Sequence, residues 1–181
     1  MKNKNEIPYR SVKIKIFKSK NPMVFEFFQE AGIWATEIYN RATYVLKTNY
    51  SAHQKHESEW TDEERDINQK LSSISKIANK DGSVPKIIDA RQMHYYFSKF
   101  EPYKEIKPKY FPYMAIREPY ERACHDVKSA DEGKKSYEKN SKKFSGEPQF
   151  PKYKPEGEPI SFFEIPNSYI FELYIIFPPS L

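Results

Sequence analysis

Cysteine and glycine are scarce in this 181-residue chain, and long apolar runs are missing. A single cysteine, Cys124, excludes an internal disulfide and fits a reducing cytoplasm. Five glycines argue against phosphate-cradling loops and against an all-β fold with many tight turns. No apolar run approaches the roughly 20 residues of a membrane helix, and the charged N-terminus lacks a signal-peptide pattern. We therefore expect one cytoplasmic domain, or a small domain inserted into another.

Positive charge is concentrated in two blocks. The net charge is +5, but residues 1–22 hold seven basic residues against one acidic residue, and residues 101–155 hold 13 against nine. Residues 23–100 are almost neutral, and residues 156–181 are acidic. Basic blocks of this kind suit a polyanion such as nucleic acid. Lysine-rich segments can also serve only to keep a protein soluble, so charge alone leaves both interpretations open.

The clearest periodic pattern predicts a long helix over residues 21–50, around which the other segments are arranged. Asn21 can cap this helix, and Pro22 suits its first position. Its apolar residues alternate at spacings of three and four and therefore share one face. These residues are Val24, Phe28, Ala31, Ala35, Ile38, Ala42 and Val45. We expect Trp34, Ile38 and Ala42 to be buried in a helical core. Their predicted partners are Ile67, Leu71 or Val127.

Three further helices are predicted. A capping box over 61–64 opens the second helix, and Asp81-Gly82 would end it. Pro85 begins the third helix, which runs to about Phe100. The fourth runs from about 116 to 143 and carries one apolar side and many basic residues.

Two ends of the chain are predicted to be strands. Residues 9–17 alternate apolar and polar side chains, and residues 160–164 and 169–177 are rich in β-branched and aromatic residues. A lone amphipathic strand needs partners. We therefore predict an α+β fold in which a helical block is inserted into a small antiparallel β wedge or barrel.

A proline-rich segment, Phe144–Glu158, separates the helices from the last strands. Its prolines and glycines exclude regular structure. Phe150 and Tyr153 alternate with Lys152 and Lys154, and this interleaving suits bases and phosphates. The two rings could equally well pin the segment to the rest of the fold.

The histidines do not predict a metal centre. His53 and His56 lie three residues apart near Glu57 and Glu59, but they lack the ligand clustering and second shell of a metal site. A solvated loop is the preferred interpretation, and His94 is expected to be a packed or surface residue. We expect no cofactor and no metal.

Taken in order, these segments resemble the N-terminal region of the TnpB family of transposon-encoded RNA-guided nucleases and their miniature type V CRISPR relatives. The resemblance rests on the basic first strand, on Tyr39-Asn40 in the long helix, and on the Gly-x-Pro-x-Phe-Pro-x-Tyr-Lys pattern of Gly146–Lys154. It covers roughly residues 9–165. This region of the family was long described as the OrfB helix-turn-helix domain.

The resemblance implies a first wedge strand at 1–20, a helical recognition lobe at 21–145 and a return to wedge strands at 146–181. It also implies two ligands, a guide RNA and a double-stranded DNA target beside a short motif. The basic blocks and the resemblance together give the candidate nucleic-acid-binding residues. These are Lys13, Lys15, Tyr39, Asn40, Arg117, Arg122, Lys152, Tyr153 and Lys154.

The family's nuclease domain has no counterpart in this sequence. The sequence stops at Leu181, and neither its RuvC-like carboxylates nor its paired Cys-x-x-Cys motifs are present. We therefore expect a fragment or natural truncation that binds nucleic acid without cutting it. Two alternatives stay open: a helical protein-interaction module with a solubilising basic surface, and part of an active endonuclease whose catalytic domain lies elsewhere.

Overall fold

A computed structural model describes residues 18–20, 22–100 and 113–159. Four α-helices form its frame: α1 (Pro22–Ala52), α2 (Asp62–Ser72), α3 (Ala90–Phe100) and α4 (Tyr113–Lys139). Two short 3₁₀ turns, Glu57–Glu59 and Ser141–Lys143, precede α2 and follow α4. No helix in these ranges is both long enough and apolar enough to cross a membrane.

The predicted α+β fold is wrong. Helices and loops make up the described residues, with no strand, sheet or barrel among them. The physical reason is that the apolar face of each helix is buried against other helices. This core therefore needs no sheet to cover it. The segments predicted as strands, 9–17, 160–164 and 169–177, lie outside the described residues.

The core lies mainly between the two longest helices. α1 packs most extensively against α4, α2 packs against α1, and α3 packs against α4. Ile38 and Ala42 are buried in one core that also holds Ile67, Leu71 and Val127, which confirms the predicted apolar face. Trp34 is partly buried and packs against the same core.

Cys124 belongs to this core. Its side chain is buried in α4, and burial raises the pKa of the thiol to about 12. A reactive cysteine needs an accessible thiolate. Cys124 is therefore a packing residue.

Three predicted helix boundaries differ from the structure. α2 ends at Ser72, ten residues before Gly82, because the hydroxyls of Ser72 and Ser73 bond to carbonyls of the last turn and compete with further helix. Ile74 and Ile77 stay buried in the turns that follow. α3 begins at Ala90 rather than at Pro85, where Asp89 and Gln92 exchange hydrogen bonds in a capping box. α4 ends at Lys139, four residues earlier than predicted.

The capping box of α2 is confirmed and supplies a pH-dependent contribution to stability. Glu64 accepts the Thr61 amide at 2.9 Å and a Lys55 ammonium proton at 2.8 Å. Hydrogen bonds from Lys55, Ser51 and Thr61 lower the pKa of the Glu64 carboxyl from 4.5 to about 2. Because this pKa is depressed in the folded state, the stabilisation is complete above pH 4.5 and is lost as pH falls through about 2.

Glu64→Gln tests this contribution. Glutamine keeps the capping geometry but removes the charge, so we expect lower stability at neutral pH and a shallower loss of stability between pH 4.5 and about 2. Urea unfolding across this pH range measures both effects. Glu63→Gln, in the same turn and exposed, is the matched control and should leave the profile unchanged. Equal profiles for Glu64→Gln and the wild type would contradict the assignment.

Candidate nucleic-acid interface

The proline-rich segment has no regular secondary structure, as predicted. The structure places it along α1. Asn40 holds it through two hydrogen bonds to one residue: its Nδ2 donates to the Lys154 carbonyl at 2.9 Å, and its Oδ1 accepts the Lys154 amide at 2.8 Å. The Thr36 hydroxyl, one turn earlier, lies within hydrogen-bonding distance of the Glu158 carbonyl. The backbone at 154–158 is therefore fixed to one face of α1.

Phe150 anchors the middle of the segment. Its ring meets the Tyr50 ring edge to face, with centroids 4.5 Å apart, and the Lys134 ammonium lies 4.7 Å from its centroid. A Cβ added at Gly133 would come within 3.1 Å of Pro148, so α4 also approaches the segment closely. These contacts favour the interpretation in which Phe150 pins the segment to the rest of the fold.

The anchor under Phe150 includes a buried carboxylate. Asp131 accepts the Tyr50 hydroxyl at 2.9 Å and pairs with Lys135 at 2.6 Å and Lys86 at 3.4 Å. Burial opposes ionisation, but the hydrogen bonds from Lys135, Tyr50 and Lys86 keep the pKa of Asp131 below its usual value. One buried negative charge thus pairs with Lys86 and Lys135, and its bond to Tyr50 links this cluster to the Phe150 ring.

Tyr153 keeps much of its surface. Half of the side chain is exposed, and the Lys47 ammonium lies 4.9 Å from the ring centroid. Lys152, its neighbour, is exposed. A half-exposed ring next to cations is the arrangement that a stacking base would need.

Tyr39 is placed differently from the prediction. Its side chain is fully buried, and its hydroxyl donates to Asp126 at 2.8 Å. Burial, together with Asp126, raises the pKa of the phenol. The Lys154 ammonium lies 5.1 Å from the ring centroid. In this fold Tyr39 has no surface for a base, and it serves as the platform under Lys154. The side chain of Asn40 is likewise engaged within the fold, because it hydrogen-bonds to the Lys154 backbone.

The structure brings some predicted residues together and separates others. Arg122 is close enough to Tyr39 for its charge to act on the phenol, so it belongs to the same cluster as Lys154 and Asn40. Arg117 pairs with Glu121 and lies roughly 140° around α4 from Arg122 at 100° per residue. Lys13 and Lys15 lie outside the described residues.

Sequence reasoning missed Tyr44 and Lys47. With Asn40 they form a stripe at i, i+4 and i+7 on α1, which is one helical face. Asn40 and Lys47 both contact the proline-rich segment, and 37% of Tyr44 is exposed. The available signal was a polar and aromatic stripe on the side of α1 opposite the apolar one. We call Asn40, Tyr44 and Lys47 with residues 152–154 the α1 face.

The histidines make local contacts. His53 lies 2.9 Å from the Asn49 carbonyl and 2.8 Å from the Val84 carbonyl, and His56 caps the short 3₁₀ turn. His94 lies 3.3 Å from the Tyr120 hydroxyl. Within the ranges described, no group of three His, Cys, Asp or Glu side chains is placed to hold a metal ion.

Asn40→Ala is expected to release the proline-rich segment. It removes both hydrogen bonds to Lys154, so the free energy of local opening should fall by about 1–3 kcal/mol. Limited trypsin digestion should then cut faster after Lys152, which is followed by Tyr153. Asn79→Ala is the matched control, because that amide bonds only to an exposed serine in a turn. Unchanged cleavage in Asn40→Ala would show that other contacts hold the segment.

No protein-family model, curated protein or solved structure matches this chain.

Proposed function

We propose that this chain binds structured RNA as a TnpB-like protein does with its guide RNA, and that its second ligand is the DNA duplex beside the target. The observation that carries the proposal is the fixed presentation of Lys152, Tyr153 and Lys154 on α1. Asn40 holds the backbone of Lys154, the last residue of this tripeptide. The tripeptide is therefore presented from a backbone that is restrained at Lys154.

Restraint matters because flexible lysines lose conformational freedom when they bind. A segment that is already ordered loses less, so more of the phosphate interaction is retained as affinity. Lys47 lies over the half-exposed Tyr153 ring, and Lys152 is its exposed neighbour. Lys154 and Arg122 add positive charge beside Tyr39, while the Glu63 carboxylate is the negative charge close to Tyr153. Phosphates would be neutralised by these cations, and a base would stack on Tyr153.

Titration of the purified chain with a structured RNA at several salt concentrations tests this function. We expect the logarithm of the association constant to fall linearly with the logarithm of salt concentration, with a slope of roughly −0.7 to −0.9 per phosphate contacted. A sulfated polysaccharide serves as the control polyanion and should bind more weakly. Absence of RNA binding at low salt would leave the protein-interaction alternative.

Cleavage is not part of the proposed function. Among residues 18–20, 22–100 and 113–159, no group of three His, Cys, Asp or Glu side chains converges as a two-metal nuclease requires. We expect the purified chain with Mg²⁺ and a guide RNA to leave target DNA intact in a gel assay. Metal-dependent, guide-specific cleavage by a nuclease-free preparation would overturn this part of the proposal and favour the active endonuclease alternative.

A further inference from the structure

A groove of about 330 Å³ opens between α1 and α2, next to the α1 face. Val45, Ile67 and Tyr96 supply apolar lining, and Tyr44, Arg41 and Lys70 supply aromatic and cationic lining. Lys70 is held by Asp66 at 2.6 Å. A volume of this size lies at the low end of the range for small-molecule sites. The groove therefore has room for one planar group and its sugar.

The groove and the proline-rich segment meet at one stripe of α1. Asn40 lines the groove and also binds the Lys154 backbone. Lys47 lies over the Tyr153 ring. Tyr44 is between these two residues on the same helical face, and it lines the groove while 37% of it stays exposed. Two exposed tyrosines thus lie along one line, with Arg41 and Lys47 on the same helix and the Glu63 carboxylate of α2 close to both rings.

We propose that the groove binds a single unpaired nucleotide of the RNA, with its base stacked on Tyr44 and the adjoining base on Tyr153. This inference rests on the proposed function and names the part of the RNA that is recognised. Arg41 and Lys47 lie on the same helix as Tyr44 and contact the phosphates on either side. The apolar lining of Val45 and Ile67 receives the edge of the base.

Unpaired RNA fits this site better than a duplex does. Bases in an A-form helix are stacked on one another and offer no free face to a tyrosine, whereas loops and single-stranded ends can splay a base outward. Aromatic platforms beside a basic track are typical of single-strand binding. A duplex would contact the cations alone and leave the groove empty.

Two labelled RNAs test the inference: a blunt hairpin and the same hairpin with a short unpaired 3′ extension. The wild type should bind the extended hairpin more tightly. Tyr44→Ala should weaken binding of the extended hairpin by about 5- to 140-fold, the equivalent of one lost stacking contact, and leave the blunt hairpin unchanged. Tyr44→Phe keeps the ring and should retain wild-type affinity.

Phe144→Ala is the matched control, since Phe144 has the same 37% exposure but packs on Tyr137 beyond the end of α4. It should leave both affinities unchanged. Arg41→Gln is a second variant that does not alter the core. It should weaken binding of the extended hairpin more than binding of the blunt hairpin.

The outcomes separate the two proposals. Equal wild-type affinities for the two hairpins, or equal weakening of both by Tyr44→Ala, would overturn the nucleotide site while RNA binding stands. Failure of the wild type to bind either hairpin would overturn the proposed function itself.

Discussion

Ile38→Ala should lower the free energy of unfolding by about 2–5 kcal/mol, the range for truncating a buried isoleucine. The side chain is 3% exposed and lies in the core that joins α1 to α2 and α4. Replacement removes the apolar surface that these helices cover and leaves a cavity. Because close-packed neighbours relax only partly, both terms destabilise the fold. Urea unfolding followed by circular dichroism measures the loss.

Ile33→Ala is the matched control for this substitution. Ile33 lies on the same helix but is only partly buried, so its truncation should cost clearly less. Equal stability of Ile38→Ala and the wild type would contradict the assignment of this face to the core.

The combined substitution Lys47→Ala, Lys152→Ala and Lys154→Ala should weaken RNA binding by about 100- to 500-fold at 0.1 M salt. This figure follows from counterion release, which contributes roughly five- to eight-fold for each phosphate contact at that salt concentration. The salt slope should become shallower by about 2–2.7 for the same reason. The fold should survive, since the main-chain groups of Lys154, rather than its side chain, bond to Asn40.

The control removes the same number of positive charges at positions outside the α1 face. Lys76, Lys80 and Lys139 are exposed residues after α2 and at the end of α4. Alanine at these three positions should alter affinity only slightly. If both triple variants weaken binding equally, the protein's overall charge, and not the α1 face, accounts for RNA binding.

Helix α1 could be predicted well from the sequence because its apolar residues repeat over many turns and Pro22 marks its start. The α2 boundary could not. Ile74 and Ile77 continue the helical spacing. They lie in the turns that follow α2, however, and their side chains are buried from there. Periodicity reports which residues are buried, and it does not distinguish a helix from successive turns that bury the same residues. The serines at 72 and 73 carried the boundary signal.

The α+β prediction failed for a related reason. It was inferred from the ends of the chain, whereas the described middle closes its own helical core. The long run of apolar helix faces was the better guide to this part of the fold.

The candidate site was only partly predictable. Tyr39 and Asn40 were selected by resemblance. In the structure both make contacts inside the fold, Tyr39 with Asp126 and Asn40 with the Lys154 backbone. The contact of Asn40 with Lys154 joins residues 114 positions apart, and no local pattern encodes such a contact. Tyr44 and Lys47 were overlooked because only the apolar face of α1 was considered. Their role follows once the proline-rich segment is placed on the opposite side of the same helix.

Crosslinking tests the central claim, that the α1 face contacts RNA, most directly. The chain would be irradiated with a 4-thiouridine-labelled structured RNA, and the crosslinked peptides would be identified by mass spectrometry. We predict crosslinks at Tyr153 and Tyr44, both abolished by excess unlabelled RNA. Crosslinks found only within residues 62–100 of the described chain, with none on α1 or on residues 144–158, would contradict the account.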